Sequence, residues 1–275
     1  MPLSVVDLYR DILPKTNCRE CGHPTCLAFA SMVVSEKLPI QNCPYLSRET
    51  VEKCMKELEA QYAQGKWLKK DMAQDAHDWA KERAASMKLE DLPGRIGGEL
   101  VEADQTVCLK LPYFTDHVLI SENDITKLSG AHTSRYEKVF IYNHMAQGGS
   151  IFPTGNWKGL VEFPNTVSKM KSMIDHIEMP MCNMFKGNVP KLMENALQIG
   201  GKNVTRTYEA ADAAFLFQPL PKVPVMVVFW DEVKEENLDP TIKFLFDETI
   251  TEHLDIESIM FLSETLKKMI CGEPV

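Results

Sequence analysis

Four cysteines define the chemistry this sequence can do. Cys18, Cys21, Cys26 and Cys43 follow a C-x2-C-x4-C-x16-C spacing, and Pro44 comes directly after the last of them. Thiolates are soft donors, and four of them suit either zinc or an iron–sulfur cluster. A single zinc ion usually takes its ligands as two short pairs. Here three ligands wrap one compact loop and a distant fourth closes the site, an arrangement suited to a cube whose corners lie farther apart than the ligands of one ion. The Cys-Pro step also recurs in ferredoxin-type cluster runs. Gly22 lets backbone approach, so that amides can donate to the cluster sulfurs. The spacing favours a [4Fe–4S] cluster over zinc.

The other cysteines read differently. Five of the eight, including Cys54, fall in the first 54 residues, a clustering that points to metal rather than to a disulfide framework. Cys54 reads as an uncoordinated helix residue. Cys108, Cys182 and Cys271 lie in apolar surroundings and read as core filler.

Composition narrows the class. The chain has 275 residues, 44% of them apolar, and a formal charge of −9. That argues against a general nucleic-acid binder. No apolar run approaches the roughly 20 residues of a membrane helix. The first residues lack the pattern of a secretory signal, so a cytoplasmic protein with no membrane span is expected. Almost none of the net charge lies in residues 1–65. Residues 231–257 carry ten acids against two lysines, either a solvated face or a docking surface for a basic partner.

The elements that must position the cysteines follow from local signals. Ser4 suits the N-cap of a helix over residues 4–13, and Thr25 that of a helix over 26–37. A third helix starts at Ser47 and runs into a polar helical stretch over 49–87, interrupted near Gly65, with sparse apolar marks at Tyr62, Trp67, Met72 and Trp79. Beyond it, short strands are expected at 107–111 and 118–120. Ser134 and Glu137 form a capping box for a helix ended by Gly148 and Gly149. Helices are expected over 166–176 and 190–199, and apolar strands over 214–220 and 225–230. The chain closes with two helices, one from Asp239-Pro240 and one from Asp255. The expected fold is α+β: a small helical four-cysteine module (1–60), a helical connector (61–91) and a larger mixed α/β sheet domain (92–275).

The segment Asn17-Cys18-Arg19-Glu20-Cys21-Gly22-His23-Pro24-Thr25-Cys26-Leu27-Ala28-Phe29-Ala30, with Cys43-Pro44-Tyr45-Leu46, resembles the cluster domain of the corrinoid iron–sulfur protein large subunit. It is also similar to the cluster domain in the B subunit of the Rnf electron-transport complex. The resemblance covers about the first 50 residues. It implies one [4Fe–4S] cluster on Cys18, Cys21, Cys26 and Cys43, delivering single electrons at low potential. Three further stretches, at 152–157, 224–231 and 244–249, resemble the domain of unknown function family 3786. Proteins of that family occur in anaerobes, and many carry this cluster module in front. The family implies a fold of its own and no activity.

A corrinoid is the natural second cofactor to test for. Asp75-Ala76-His77 opens like the D-x-H-x-x-G cobalamin motif, but Ala80 stands where glycine is needed, so that motif fails. A cobamide held without a protein histidine stays open. The most site-like part of the larger domain is His144, Gly148, Gly149, Thr154, Gly155 and Trp157. It reads either as a pocket for a flat or phosphate-bearing ligand or as a helix cap and tight turn beside a core tryptophan. His144 lies in the last helical turn, where the dipole favours its protonated form. No dinucleotide fingerprint, phosphate loop or nucleophile elbow is present. The expected function is electron transfer in anaerobic metabolism to a corrinoid held by this chain or by a redox partner, such as a corrinoid protein or methyltransferase. The alternative is a non-catalytic adaptor or redox-sensing subunit with a structural cluster. A third expectation is an enzyme acting on a ligand near His144.

Overall fold

The computed structural model describes residues 3–63, 72–103, 106–122, 124–208 and 210–275. The expected interruption at Gly65, and Trp67, lie outside them. The chain divides into two units, Met1–Met72 and Ala73–Val275.

In the first unit Ser4 starts the chain's first helix. Its hydroxyl accepts from the Asp7 amide while the Asp7 carboxylate accepts from the Ser4 amide, at 3.2 and 3.0 Å. The helix α1 (Val5–Asp7) runs on through a π-helical turn, Leu8–Ile12. Thr25 caps α2 (Cys26–Ser35), its hydroxyl accepting from the Ala28 amide. The Ser47 hydroxyl accepts from the Thr50 amide at the start of α3 (Arg48–Ala63). Leu8, Phe29, Ala30, Val33, Ile40, Cys54 and Leu58 share one small core. The Tyr62 hydroxyl donates to the Val33 carbonyl and ties α3 to α2.

The second unit opens with α4 (Met72–Ala85) and α5 (Leu92–Ile96). On α4 the small residues Ala80 and Ala84 enter the core, whereas Trp79 is exposed and lies beside Arg83. An antiparallel meander follows, in the order β1 (Glu99–Ala103), β2 (Thr106–Tyr113), β3 (Asp116–Ile120) and β4 (Ile125–Lys127). Pro112 lies inside β2, where no strand was expected to pass. It is tolerated because β1 pairs with β2 only as far as Lys110, so that edge of Pro112 has no ladder to break. Helix α6 (Arg135–Gln147) carries the expected Ser134–Glu137 capping box.

After β5 (Trp157–Gly159), α7 (Val167–Met173) continues through a π-helical turn, Ile174–Glu178, into α8 (Met179–Phe185). The helical path thus extends past the expected end at 176, and the π turn falls just before Pro180. Then come α9 (Val189–Gln198), β6 (Lys202–Asn203), β7 (Ala213–Leu220), β8 (Val223–Trp230), β9 (Thr241–Asp247) and α10 (Ile256–Cys271). The second sheet has the order β5-β9-β8-β7-β6, all antiparallel.

The helix expected from Asp239-Pro240 is therefore a strand. Ile242, Phe244 and Phe246 point one way into the core while Thr241, Lys243 and Leu245 alternate with them. That period of two, together with pairing to both β5 and β8, overrides the acidic-cap-plus-proline signal. Strand β8 is buried along nearly its whole length because both faces are covered. Val225, Val227 and Phe229 enter the main core, and Met226 and Val228 join a second cluster with Ala214. The result is an α+β fold.

Several acids of the stretch 231–257 are taken up by neighbours. Glu232 pairs with Lys186 and Lys234, Glu248 with Lys158 and Glu257 with Lys169, while Asp247 is buried. Among the described residues no helix is long and apolar enough to cross a membrane.

Candidate metal centre

The cysteine loop is shaped by backbone that few residues adopt. Asn17, Arg19 and Gly22 have φ of +51°, +68° and +82°, so the chain curls between consecutive cysteines. The Gly22 amide closes a turn on the Arg19 carbonyl at 2.9 Å. The Asn17 side-chain oxygen accepts from the Cys26 amide at 2.8 Å and draws the start of the loop onto the first turn of α2. A 3-10 turn, Ile40–Asn42, delivers Cys43 from the other side, with the Ile40 side chain anchored in the core.

These segments carry the four cysteines, which differ in exposure. Cys26 and Cys43 are buried, Cys21 is half-buried and Cys18 is exposed, and none forms a disulfide. Burial pushes the Cys43 thiol up, the Tyr45 amide hydrogen-bonded to its sulfur works the other way, and Cys21, Cys26 and Cys18 all act on it electrostatically. The Tyr45 hydroxyl donates to the Glu20 carboxylate. That bond spans the site from the Cys18–Cys21 turn to the segment after Cys43, and it raises the Tyr45 phenol.

The donor set fits an iron–sulfur group. The four thiols are soft donors free of disulfides, and the Tyr45 amide acting on the Cys43 sulfur is of the kind that tunes such centres. Among the described residues no three His, Cys, Asp or Glu side chains gather tightly enough to hold a single ion. Cys54 is buried on α3 in the same small core as Cys26 and Cys43, and Cys108, Cys182 and Cys271 are buried in the second unit.

The residues singled out in the second unit fall into three neighbourhoods. His144 is fully buried, and its Nδ1 donates to the His253 carbonyl at 3.2 Å. Its pKa is pushed down to about 3 by burial, so desolvation outweighs the helix dipole expected to protonate it. Gly148 sits against it: a side chain there would meet Ile96 Cγ2 and the His144 carbonyl, both at 2.4 Å. The Gly149 amide bonds the Glu252 carbonyl. Thr154 and Gly155 belong elsewhere, their amides donating to Asp247 at 3.2 and 2.7 Å. Burial works to raise the Asp247 carboxyl, but hydrogen bonds from Thr249, Gly155 and Thr154 outweigh it and hold it low. Trp157 packs in the separate cluster with Ala214 and Met226.

Sequence reasoning missed Glu20 and Tyr45 at the cysteine site. In the second unit it missed Asp247 and the group around the Lys222 ammonium, which donates to the Arg95 carbonyl and lies 4.7 Å from the Phe152 ring. The adjacency of Glu20 and Tyr45 to the cysteines was the available signal for the first pair. The others are scattered from residue 95 to residue 247 and carry no common spacing.

A family model for a domain of unknown function, DUF3786, matches residues 88–269, well over half of the chain. The chain belongs to the DUF3786 family. In front of the DUF3786 region, a second family model, described as "Putative Fe-S cluster", matches residues 13–45. This N-terminal part is similar to curated relatives. The corrinoid/iron-sulfur protein large subunit of Moorella thermoacetica is 53% identical over 47 residues, 17% of this chain and 10% of that protein. The acetyl-CoA decarbonylase/synthase complex subunit gamma of Methanocaldococcus jannaschii is 41% identical over 56 residues, 20% of this chain and 11% of its own. The corresponding gamma subunit of Methanopyrus kandleri is 43% identical over 51 residues, 18% and 11%. The chain thus spans about a tenth of the length of these relatives. No solved structure matches it. This DUF3786 chain carries an N-terminal iron–sulfur-type domain similar to that of corrinoid/iron–sulfur subunits.

Proposed function

We propose that this DUF3786 protein is an iron–sulfur electron-transfer protein of anaerobic metabolism, with one [4Fe–4S] cluster on Cys18, Cys21, Cys26 and Cys43. This reading is supported by the iron–sulfur family match over residues 13–45, which takes in Cys18, Cys21, Cys26 and Cys43, all of them free of disulfides. When bound, the cluster supplies one-electron chemistry. The cysteines hold it as thiolates, the Tyr45 amide donates to the Cys43 sulfur, and the buried Cys26 and Cys43 keep water from one side. Cys18, on the exposed side, marks where a redox partner approaches. The module is assigned to residues 1–60, joined through 61–91 to a domain over 92–275.

The N-terminal relatives are named as subunits of corrinoid/iron–sulfur and acetyl-CoA decarbonylase/synthase assemblies. A cobamide, held by a partner such as a corrinoid protein or methyltransferase or by the C-terminal domain, is accordingly the proposed electron acceptor, and the cytoplasm the proposed compartment. Anaerobic purification tests this directly. A brown protein with four irons per chain, reducible by a low-potential donor to a paramagnetic state, supports it. A colourless protein with stoichiometric zinc overturns it. Corrinoid bands that appear on adding cobamide would assign the acceptor site to this chain.

The second reading is a structural cluster in a non-catalytic adaptor or redox-sensing subunit. Cys26 and Cys43 belong to the small core of the first unit, which favours it. A cluster that resists reduction by a strong low-potential donor, in a protein that unfolds when iron is removed, would select that reading.

A further inference from the structure

Lys222 lies in the turn between β7 and β8 and is 5% exposed. Its ammonium donates to the Arg95 carbonyl and, at 3.5 Å, to the Gly149 carbonyl. An ammonium has three donors, and the Phe152 ring lies 4.7 Å from this one. Among the described residues no carboxylate pairs with Lys222, and burial is the one influence on its ionisation. A buried charge is costly without a counter-ion.

Among the described residues, the neighbouring side chains add no ion-pair partner for Lys222. The Arg95 guanidinium spends its Nη2 on the Gly148 and Ala146 carbonyls, at 2.9 and 3.4 Å, and its Nη1 on the Met87 sulfur. It too has no carboxylate partner among the described residues. His144 and His253 both feel the Lys222 charge. Their tautomers are set by backbone carbonyls, His144 Nδ1 on His253 and His253 Nε2 on Ile151. That leaves His144 Nε2 and His253 Nδ1 as buried acceptors without a partner, so neither ring supplies a counter-charge to Lys222 or a donor to an anion. The nearby Asp247 is committed to Thr154, Gly155 and Thr249.

Phe152 is the movable part. It is 73% exposed, so burial does little to hold it in place. Its ring gives the ammonium a weak cation–π contact where a charge-assisted hydrogen bond would be stronger. We propose that Lys222, backed by Arg95 and roofed by Phe152, is the binding site for a small oxyanion, a carboxylate or phosphate group that replaces the Phe152 ring on the ammonium. Gly148 permits the close approach of this loop, since a side chain there would collide with Ile96 and the His144 carbonyl. The site uses groups of the second unit alone and does not depend on the iron–sulfur reading.

The test is calorimetric titration of the full chain with sodium phosphate and, separately, sodium acetate, against sodium chloride at matched ionic strength. Saturable one-site binding of either anion above the chloride control is expected, and the anion that binds names the ligand class. Lys222→Met is expected to weaken that binding by about tenfold or more, as loss of a charge-assisted bond should. Phe152→Ala, a surface change, is expected to tighten or speed it. The proposal is overturned by no saturable binding of either anion, by unchanged affinity in folded Lys222→Met, or by unchanged affinity and rate in Phe152→Ala.

Discussion

The Tyr45 hydroxyl donates to the Glu20 carboxylate, so the turn between Cys18 and Cys21 is tied to the segment that leaves Cys43. Both partners are exposed, and the bond adds little to global stability. Its effect is local, because it holds together the two segments that supply the cysteines. Tyr45→Phe is therefore expected to release iron to a chelator about threefold faster with no shift in the unfolding midpoint. Equal release rates for both proteins would show that the clasp does not hold the site.

Cys43→Ala should lose the cluster, whereas Cys54→Ala should keep full iron content. Cys54 packs in the core of the first unit, so its replacement costs roughly 1 kcal/mol, comparable to deleting a buried methyl group. Iron and sulfide analysis of anaerobically purified variants decides this. The reverse outcome overturns the ligand assignment.

Acid should destabilise the protein through its buried histidines. In the unfolded chain an imidazole takes up its proton near pH 6.5, whereas burial keeps His144 neutral down to about pH 3 and lowers His253 as well. The unfolded state binds more protons in that window, so stability is complete above pH 6.5 and declines as pH falls below it. His144 alone contributes about 1.4 kcal/mol per pH unit. Urea unfolding followed by tryptophan fluorescence at pH 7.5 and 5.5 measures the difference, and equal midpoints would sink the assignment.

Glu137 holds α6 against the first sheet from a fully buried position. It accepts from the Tyr113 hydroxyl at 2.6 Å, from the Lys127 ammonium at 2.8 Å and from the Ser134 amide at 2.7 Å. Burial, and then the Glu137 charge, push the Tyr113 phenol well above its ordinary range, so it stays a donor. Glu137→Gln leaves the mostly buried Lys127 ammonium without its counter-charge, with only the His132 carbonyl still accepting from it, and should cost about 3 kcal/mol. Adding Lys127→Met should recover part of that loss. Denaturant midpoints at unchanged slope provide the measurement.

The helix starts were legible because capping is local. Ser4, Thr25, Ser134 and Asp255 each satisfy an amide three residues on, which a short window of sequence displays. Strand β9 was not legible from its start. Asp239-Pro240 looks like a helix N-terminus, and only the strands on either side of it make the alternation of Ile242, Phe244 and Phe246 decisive. Nor did the apolar mark at Trp79 reveal the packed face: α4 turns its alanines inward and leaves its one large ring beside Arg83.

The sequence by itself determined which thiols can act together, because Cys18, Cys21 and Cys26 lie within nine residues and Cys43 follows after one helix. It also determined the α+β class, through caps and apolar periods that are read over a few residues. Only the tertiary structure decided that Tyr45 reaches Glu20 and that Lys222 lies under Phe152 between the Arg95 and Gly149 carbonyls. Those partners are separated by 25 to 127 residues. What joins the Lys222 group is the burial of a shared core, a free energy summed over many side chains that no local spacing records.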